Sequence, residues 1–209
     1  MLVAIDTGEQ RTFLQGISWN LYKNLLTEIG DGGKARLSYH RGDLEFMTPL
    51  PSHENYNRQI DRAIVVLAEE LDLDYNLFGS MTIKRQDLEA GKEPDSCYYI
   101  ANELAVRGKV KLDFDRDPPP DLALEIDITS SSLNQLALYA TLGVGEVWRY
   151  DGAALIFYQL QSGKYAIVDR SCTFPILAPD RVLEFLTDCQ THGVNQAVKI
   201  LRKWIQANR

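Results

Sequence analysis

Basic residues are in short supply in this 209-residue chain: 22 lysines and arginines stand against 29 aspartates and glutamates, a formal net charge of −7. A protein that grips long nucleic acid by its phosphates alone presents broad basic surface, so any such patch here has to be local. Cysteine is scarce as well. Cys97, Cys172 and Cys189 are odd in number and lack metal-ligand spacing, which argues for buried thiols over a disulfide framework or a zinc site. No apolar run reaches the length that spans a bilayer. The opening stretch, Met1-Leu2-Val3-Ala4-Ile5-Asp6, has neither the basic start nor the long apolar centre of a secretion signal. A cytoplasmic protein without membrane contact is the expectation. Internal repeats and low-complexity tracts are missing, and Gly32-Gly33 has no strand and helix context that would make it a phosphate loop.

What is present is ordinary globular composition, with 45% hydrophobic and 24% charged residues, in a chain long enough to bury a sizeable core. One domain spanning 1–209 is expected. Ser18 to Ile29 reads as a helix with Ser18 as its N-cap, stopped by Asp31-Gly32-Gly33. Ala35 to Tyr39 and Leu44 to Met47 read as a hairpin through His40-Arg41-Gly42-Asp43. Helical spacing of Tyr56, Ile60, Ala63, Ile64, Leu67 and Leu71 marks a long helix over 53–71, with Arg58, Asp61, Glu69 and Glu70 on its polar side. A strand over 77–84 and a connection over 86–92 follow, then an aromatic strand over 95–101. Residues 102–120 are left without assigned structure. Beyond the segment 119–129 come a helix over 133–142, for which Ser130-Ser131-Ser132 offer caps, and a strand over 146–150. A hairpin over 154–169 and helices over 179–189 and 194–208 complete the chain. The order helix, strand, strand, strand, helix, strand over 53–150 is an α/β layout, a mixed sheet flanked by helices. The helix and hairpin of 18–48 precede it, and the hairpin and helices of 153–208 follow.

The most informative stretch is Pro119-Pro120-Asp121-Leu122-Ala123-Leu124-Glu125-Ile126-Asp127-Ile128-Thr129. In an extended chain alternate side chains share a face, so Leu122, Leu124, Ile126 and Ile128 oppose Asp121, Ala123, Glu125 and Asp127. Same-face neighbours lie roughly 7 Å apart, and unpaired acids so clustered need a cation or several donors. A solvated outer face is the plainer explanation. If this strand pairs antiparallel with the one that begins at Asp95, however, Asp95 lands near Glu125 and Asp127. Carboxylates converging from two strands make a hard-oxygen site suited to magnesium or manganese, an ion able to polarise a phosphodiester oxygen. Tyr98, Tyr99 and Trp148 offer stacking surfaces for bases, although aromatics in strands are far more often core.

Within this order of elements, Pro94-Asp95 and Glu125-Ile126-Asp127 resemble the PD-(D/E)-x-K nuclease superfamily, the restriction-endonuclease-like fold. More narrowly, Pro120 to Ser132 followed by Leu138-Tyr139 and the run to Tyr150 looks like the Uma family of restriction endonucleases. Gly42 to Pro49 with His53, and Glu93 to Ile100, fit it too. The resemblance runs from about Ser18 to Asp169. It implies a restriction-endonuclease-like core, with Asp95 and Glu125 as catalytic acids holding Mg2+ or Mn2+ and Asp127 as a further acidic ligand. Asp127 stands where the superfamily pattern has lysine. The family's displaced lysine would fall at Gln135, which is neutral and donates a weaker hydrogen bond than a charged group does; Lys84 is the candidate substitute. Glu45 and His53 match further family positions and, with Asp121, are expected to line the cleft. The implied partner is DNA and the implied assembly a homodimer, since cutting both strands calls for two symmetry-related sites. The rival expectation is a catalytically silent nuclease fold serving DNA binding or protein interaction.

Overall fold

The computed structural model describes residues 10–30, 35–49, 51–79, 81–128 and 133–209. The glycine stop at 31–33 and the serine caps at 130–132 lie outside the described residues. Strand β1 (Gln10–Leu14) leads into helix α1 (Trp19–Ile29), where Ser18 Oγ accepts from the Leu21 N–H at 3.2 Å and Gly30, at φ 65°, ends the helix. Strands β2 (Arg36–His40) and β3 (Asp43–Thr48) form the expected hairpin. Helix α2 (Pro51–Glu70) opens on a proline, a residue that suits a first helical turn. It buries Ile60, Ala63, Ile64 and Leu67 at the spacing the sequence shows.

Residues 77–84 do not make a single strand. They divide into β4 (Asn76–Phe78) and β5 (Ile83–Arg85), which belong to different sheets. Between them the Gly79 carbonyl accepts from the Met81 N–H at 2.6 Å. Nor is 86–92 a plain connection, because it contains β6 (Ala90–Lys92), paired on both sides. Strand β7 (Ser96–Tyr99) and a single helical turn, α3 (Glu103–Val106), come next. They are followed by β8 (Leu122–Ile126), α4 (Gln135–Leu142) and β9 (Glu146–Tyr150). The hairpin β10 (Leu155–Gln161) and β11 (Lys164–Val168) and the helices α5 (Pro179–His192) and α6 (Val194–Asn208) end the chain. Helix α4 takes its N-cap from Asn134, whose side chain accepts from the Ala137 N–H at 3.0 Å.

Two sheets result. One has five strands in the order β1-β3-β2-β6-β5, the other six in the order β11-β10-β9-β8-β7-β4. The larger is mixed, since β8 and β9 run parallel and its other pairs are antiparallel. Leu122, Leu124 and Ile126 point from its middle strand into a core shared with α2, α5 and α6. Tyr98 and Trp148 are fully buried in that core, Trp148 stacked on Phe157 at 4.2 Å between ring centres. Asp61 is buried too, not on a solvated helix face, because the Tyr98 hydroxyl donates to it. Glu69 and Glu70 dock α6 on α2 through Arg202, which lies 2.6 Å from Glu69. The opposite face of the larger sheet, carrying Ala123 and Val147, packs on α4 and on Ile83 and Ala90 of the smaller sheet. Among the described residues no helix is long and apolar enough to cross a membrane.

Candidate active site

The seam between the two sheets collects charge. On the inner face of the smaller sheet the register sets Phe13, Glu45, Ser38, Lys92 and Ile83 in one row across all five strands. Strand alternation puts Arg11 and Arg36, each two residues from a member of that row, on the same face. Across the seam, β7 and β8 pair Ser96 with Leu124, and one step further along that register Asp95 faces Glu125. The Ile126 N–H donates to Asp95 Oδ2 at 2.6 Å. A backbone hydrogen bond therefore ties the acid preceding one strand to the residue beside the acid of the next.

Each carboxylate in the seam is met by a cation. Asp95 is ion-paired with Arg36 through Oδ1, and His53 Nε2 lies 3.1 Å from its Oδ2. Burial, with the Arg36 charge second, pushes the His53 imidazole down to about 4, so the ring is neutral near pH 7. Lys92 Nζ sits 3.2 Å from Glu125 Oε2 and 3.2 Å from Ser38 Oγ. The Tyr139 hydroxyl donates to Glu125 Oε1. Burial and then the Glu125 charge push that phenol well above its ordinary range, keeping it a donor. Asp127 accepts from Arg11 at 2.9 Å and from two nitrogens of Arg149 at 2.9 and 2.6 Å. Glu45 accepts from Arg11 at 2.9 Å and from Gln135 Nε2 at 3.1 Å. Four acids thus balance Arg11, Arg36, Lys92 and Arg149. Leaving one such buried charge alone costs several kcal/mol, so the row of cations is what lets the acids share one face.

Among the described residues no three His, Cys, Asp or Glu side chains form a ready-made metal cage. The donor set still fits a small hard cation. Asp95 and Glu125 are buried carboxylates that face each other along the β7–β8 register, and magnesium characteristically takes one or two carboxylates while keeping several waters. An opening of about 190 Å³ reaches the seam, bordered by Glu125, Asp127, Gln135, Leu136, Val147 and Arg149.

The structure brings Asp95, Glu125, Asp127, Glu45, His53 and Gln135 into this seam and leaves out Lys84 and Asp121. Lys84 is exposed on edge strand β5; because Ile83 takes the inner row, its neighbour faces the other way. Asp121 accepts from the Ile100 and Asn102 N–H groups at 2.7 and 2.9 Å and from Asn102 Nδ2 at 2.6 Å. Its carboxylate closes the turn after β7 and does not border the opening. Glu45 and His53 do not border it either, being buried behind it at 1% and 0% exposure. Lys92, Arg36, Arg11 and Tyr139 escape a reading by pattern. Tyr139 carried a signal in the Leu138-Tyr139 pair. Lys92 carried a weak one, a lone lysine just ahead of Glu93-Pro94-Asp95.

A family model described as "Putative restriction endonuclease" matches residues 19–187. Among solved structures, a chain described as "a putative nuclease belonging to DUF820" from Anabaena variabilis matches with a TM-score of 0.53 at 14% identity. The match covers 80% of this chain and 98% of that one, a likeness of fold. No curated protein matches.

Proposed function

This chain belongs to the Uma2 family, and on that premise we propose that it is a nuclease that hydrolyses DNA phosphodiester bonds with magnesium or manganese as its cofactor. The reading is carried by the hydrogen bond from the Ile126 N–H to Asp95, which keeps two buried hard-oxygen donors together beneath an open cleft. Asp95 and Glu125 would hold the ion, with Asp127 alongside. When bound, the ion supplies Lewis-acid polarisation of the phosphoryl oxygen. The chain's own residues do the positioning. Tyr139 fixes one oxygen of Glu125, and the Ile126 amide orients Asp95. Lys92 supplies the positive charge that the superfamily pattern assigns to a lysine. An ammonium has three donors, and Ser38 and Glu125 engage two of them. Among the described residues no further acceptor engages Lys92 Nζ, which lies 5.7 Å from the centre of the Tyr139 ring; its charge would offset charge developing on a phosphate, and electrostatic help of this kind usually contributes most to such catalysis. Gln135, held by Glu45, shapes the rim. A homodimer would present two such sites to the two strands, and the mass in solution tests it.

A second reading, a silent nuclease fold kept for DNA binding or protein interaction, draws on the match between seam acids and seam cations, which leaves no net charge demanding a metal. Manganese-dependent nicking of supercoiled plasmid decides between them. The enzyme reading expects nicking by the wild type that is lost in Asp95→Asn and in Glu125→Gln. Equal nicking by those variants would trace the activity to a contaminant, and DNA binding without nicking would favour the silent fold.

A further inference from the structure

A second and larger cavity, about 550 Å³, runs along the outer side of α4, and it shares Asn134 and Leu136 with the opening over Glu125 and Asp127. That volume lies within the ~300–1,000 Å³ of ligand-binding clefts. Its walls are two hairpin tips, one from each sheet. His40 and Arg41 come from the β2–β3 tip, and Gly163 and Lys164 from the β10–β11 tip. The floor is Ala137, Ala140 and Thr141 of α4. Among the described residues no carboxylate lines it.

Both tips are built to be stiff. Arg41 and Gly42 have φ of 50° and 96°, and Ser162 and Gly163 have 50° and 80°, the two-residue positive-φ geometry that matches the twist of flanking strands. Arg41 is an uncommon residue to hold there. Its N–H is fastened to the Glu89 carbonyl at 2.9 Å. Among the described residues neither Arg41 nor Lys164 is ion-paired, although most arginines of this acidic chain are. Among the described residues two cations without an ion-pair partner therefore border one groove, over a floor of mostly small side chains and with no acid in its lining.

We propose that this groove carries the DNA backbone beside the cleavage site: phosphates flanking the bond that sits over Glu125 and Asp127 lie between Arg41 and Lys164. This rests on the nuclease reading and adds to it the path of the substrate. A local groove of this kind is also what a chain of net charge −7 requires if it is to hold a polyanion at all.

The test uses the full chain carrying Asp95→Asn, so that DNA is bound without being cut, and measures anisotropy of a labelled duplex over a range of salt. Arg41→Ala/Lys164→Ala is expected to weaken binding about tenfold and to flatten the slope of log K against log salt by about 1.8, two phosphate contacts at ~0.9 each. Arg41→Glu/Lys164→Glu is expected to weaken it further. Lys199→Ala/Lys203→Ala on α6 is expected to leave both quantities unchanged. In the otherwise wild-type chain, the Arg41→Ala/Lys164→Ala pair is expected to raise the DNA concentration needed for half-maximal nicking about tenfold, in step with the loss of affinity. Unchanged affinity and salt slope in the groove variants, with a wild type that binds and cuts, would overturn the groove and leave the nuclease reading standing. A wild type that neither binds nor cuts removes both. Tighter binding of an RNA duplex of the same sequence would overturn the assignment to DNA.

Discussion

Lys92 stands at the centre of the charge balance, and replacing it with methionine isolates its role. Methionine preserves the unbranched chain and removes the ammonium, leaving Glu125, at 7% exposure, with Tyr139 as its remaining side-chain partner among the described residues. Breaking a buried pair by removing one member costs about 3–5 kcal/mol. For a chain of this size each kcal/mol moves the melting temperature by ~2–4 °C, so Lys92→Met is expected to melt ~6–20 °C lower in EDTA. Two further measurements separate charge from packing. Millimolar manganese should recover part of the loss, because a cation on Glu125 replaces the missing charge. The double variant Lys92→Met/Glu125→Gln should be less destabilised than the sum of its parts, with a coupling of ~0.5–3 kcal/mol. Plasmid nicking by Lys92→Met should fall about 10²–10³-fold, as when a single donor to a transition-state charge is removed. Wild-type stability in EDTA together with wild-type nicking would refute the assignment.

Two other outcomes follow from the same geometry. His53 is held near 4 against an unfolded value of about 6.5, so the unfolded chain binds more protons between those values. Its contribution is complete above pH 6.5 and fades as pH falls towards 4, by up to roughly 3 kcal/mol. Urea midpoints over that range should decline in the wild type and decline less in His53→Asn; parallel curves would count against the buried neutral ring. Gly91 lies between Tyr39 and Lys84 in the ladder, and a Cβ there would run into the hydroxyl of the fully buried Tyr22. Gly91→Ala is expected to cost about 1–3 kcal/mol by overpacking in chemical denaturation, and an unchanged midpoint would mean that β6 does not sit as described.

The sequence carried the fold best where periodicity was long. α1, α2, β9 and the two C-terminal helices fall within a few residues of their expected bounds because an apolar stripe and its caps specify them locally. Asp95 and Glu125 were found because two strands and a proline frame them. What escaped was set by pairing between distant segments. β6 is Ala90-Gly91-Lys92, three residues with no alternation to read, and it is a strand because β2 and β5 accept it on either side. The inward direction of Lys92 depends on that register, as does the outward direction of Lys84. β1 becomes a strand by pairing with β3, and only then does Arg11 reach Glu45 and Asp127. Asp121 shares the face of Glu125 in the sequence pattern, but it stands just ahead of β8, where a turn claims it. Cation placement across a sheet seam leaves little trace in a linear pattern.

Calorimetric titration of manganese into the metal-free chain tests the shared-acid site most directly. Saturable binding is expected for the wild type, with the heat abolished in Asp95→Asn and in Glu125→Gln and kept in Asp121→Asn. Binding that survives both of the first two substitutions would place the ion elsewhere and contradict the account.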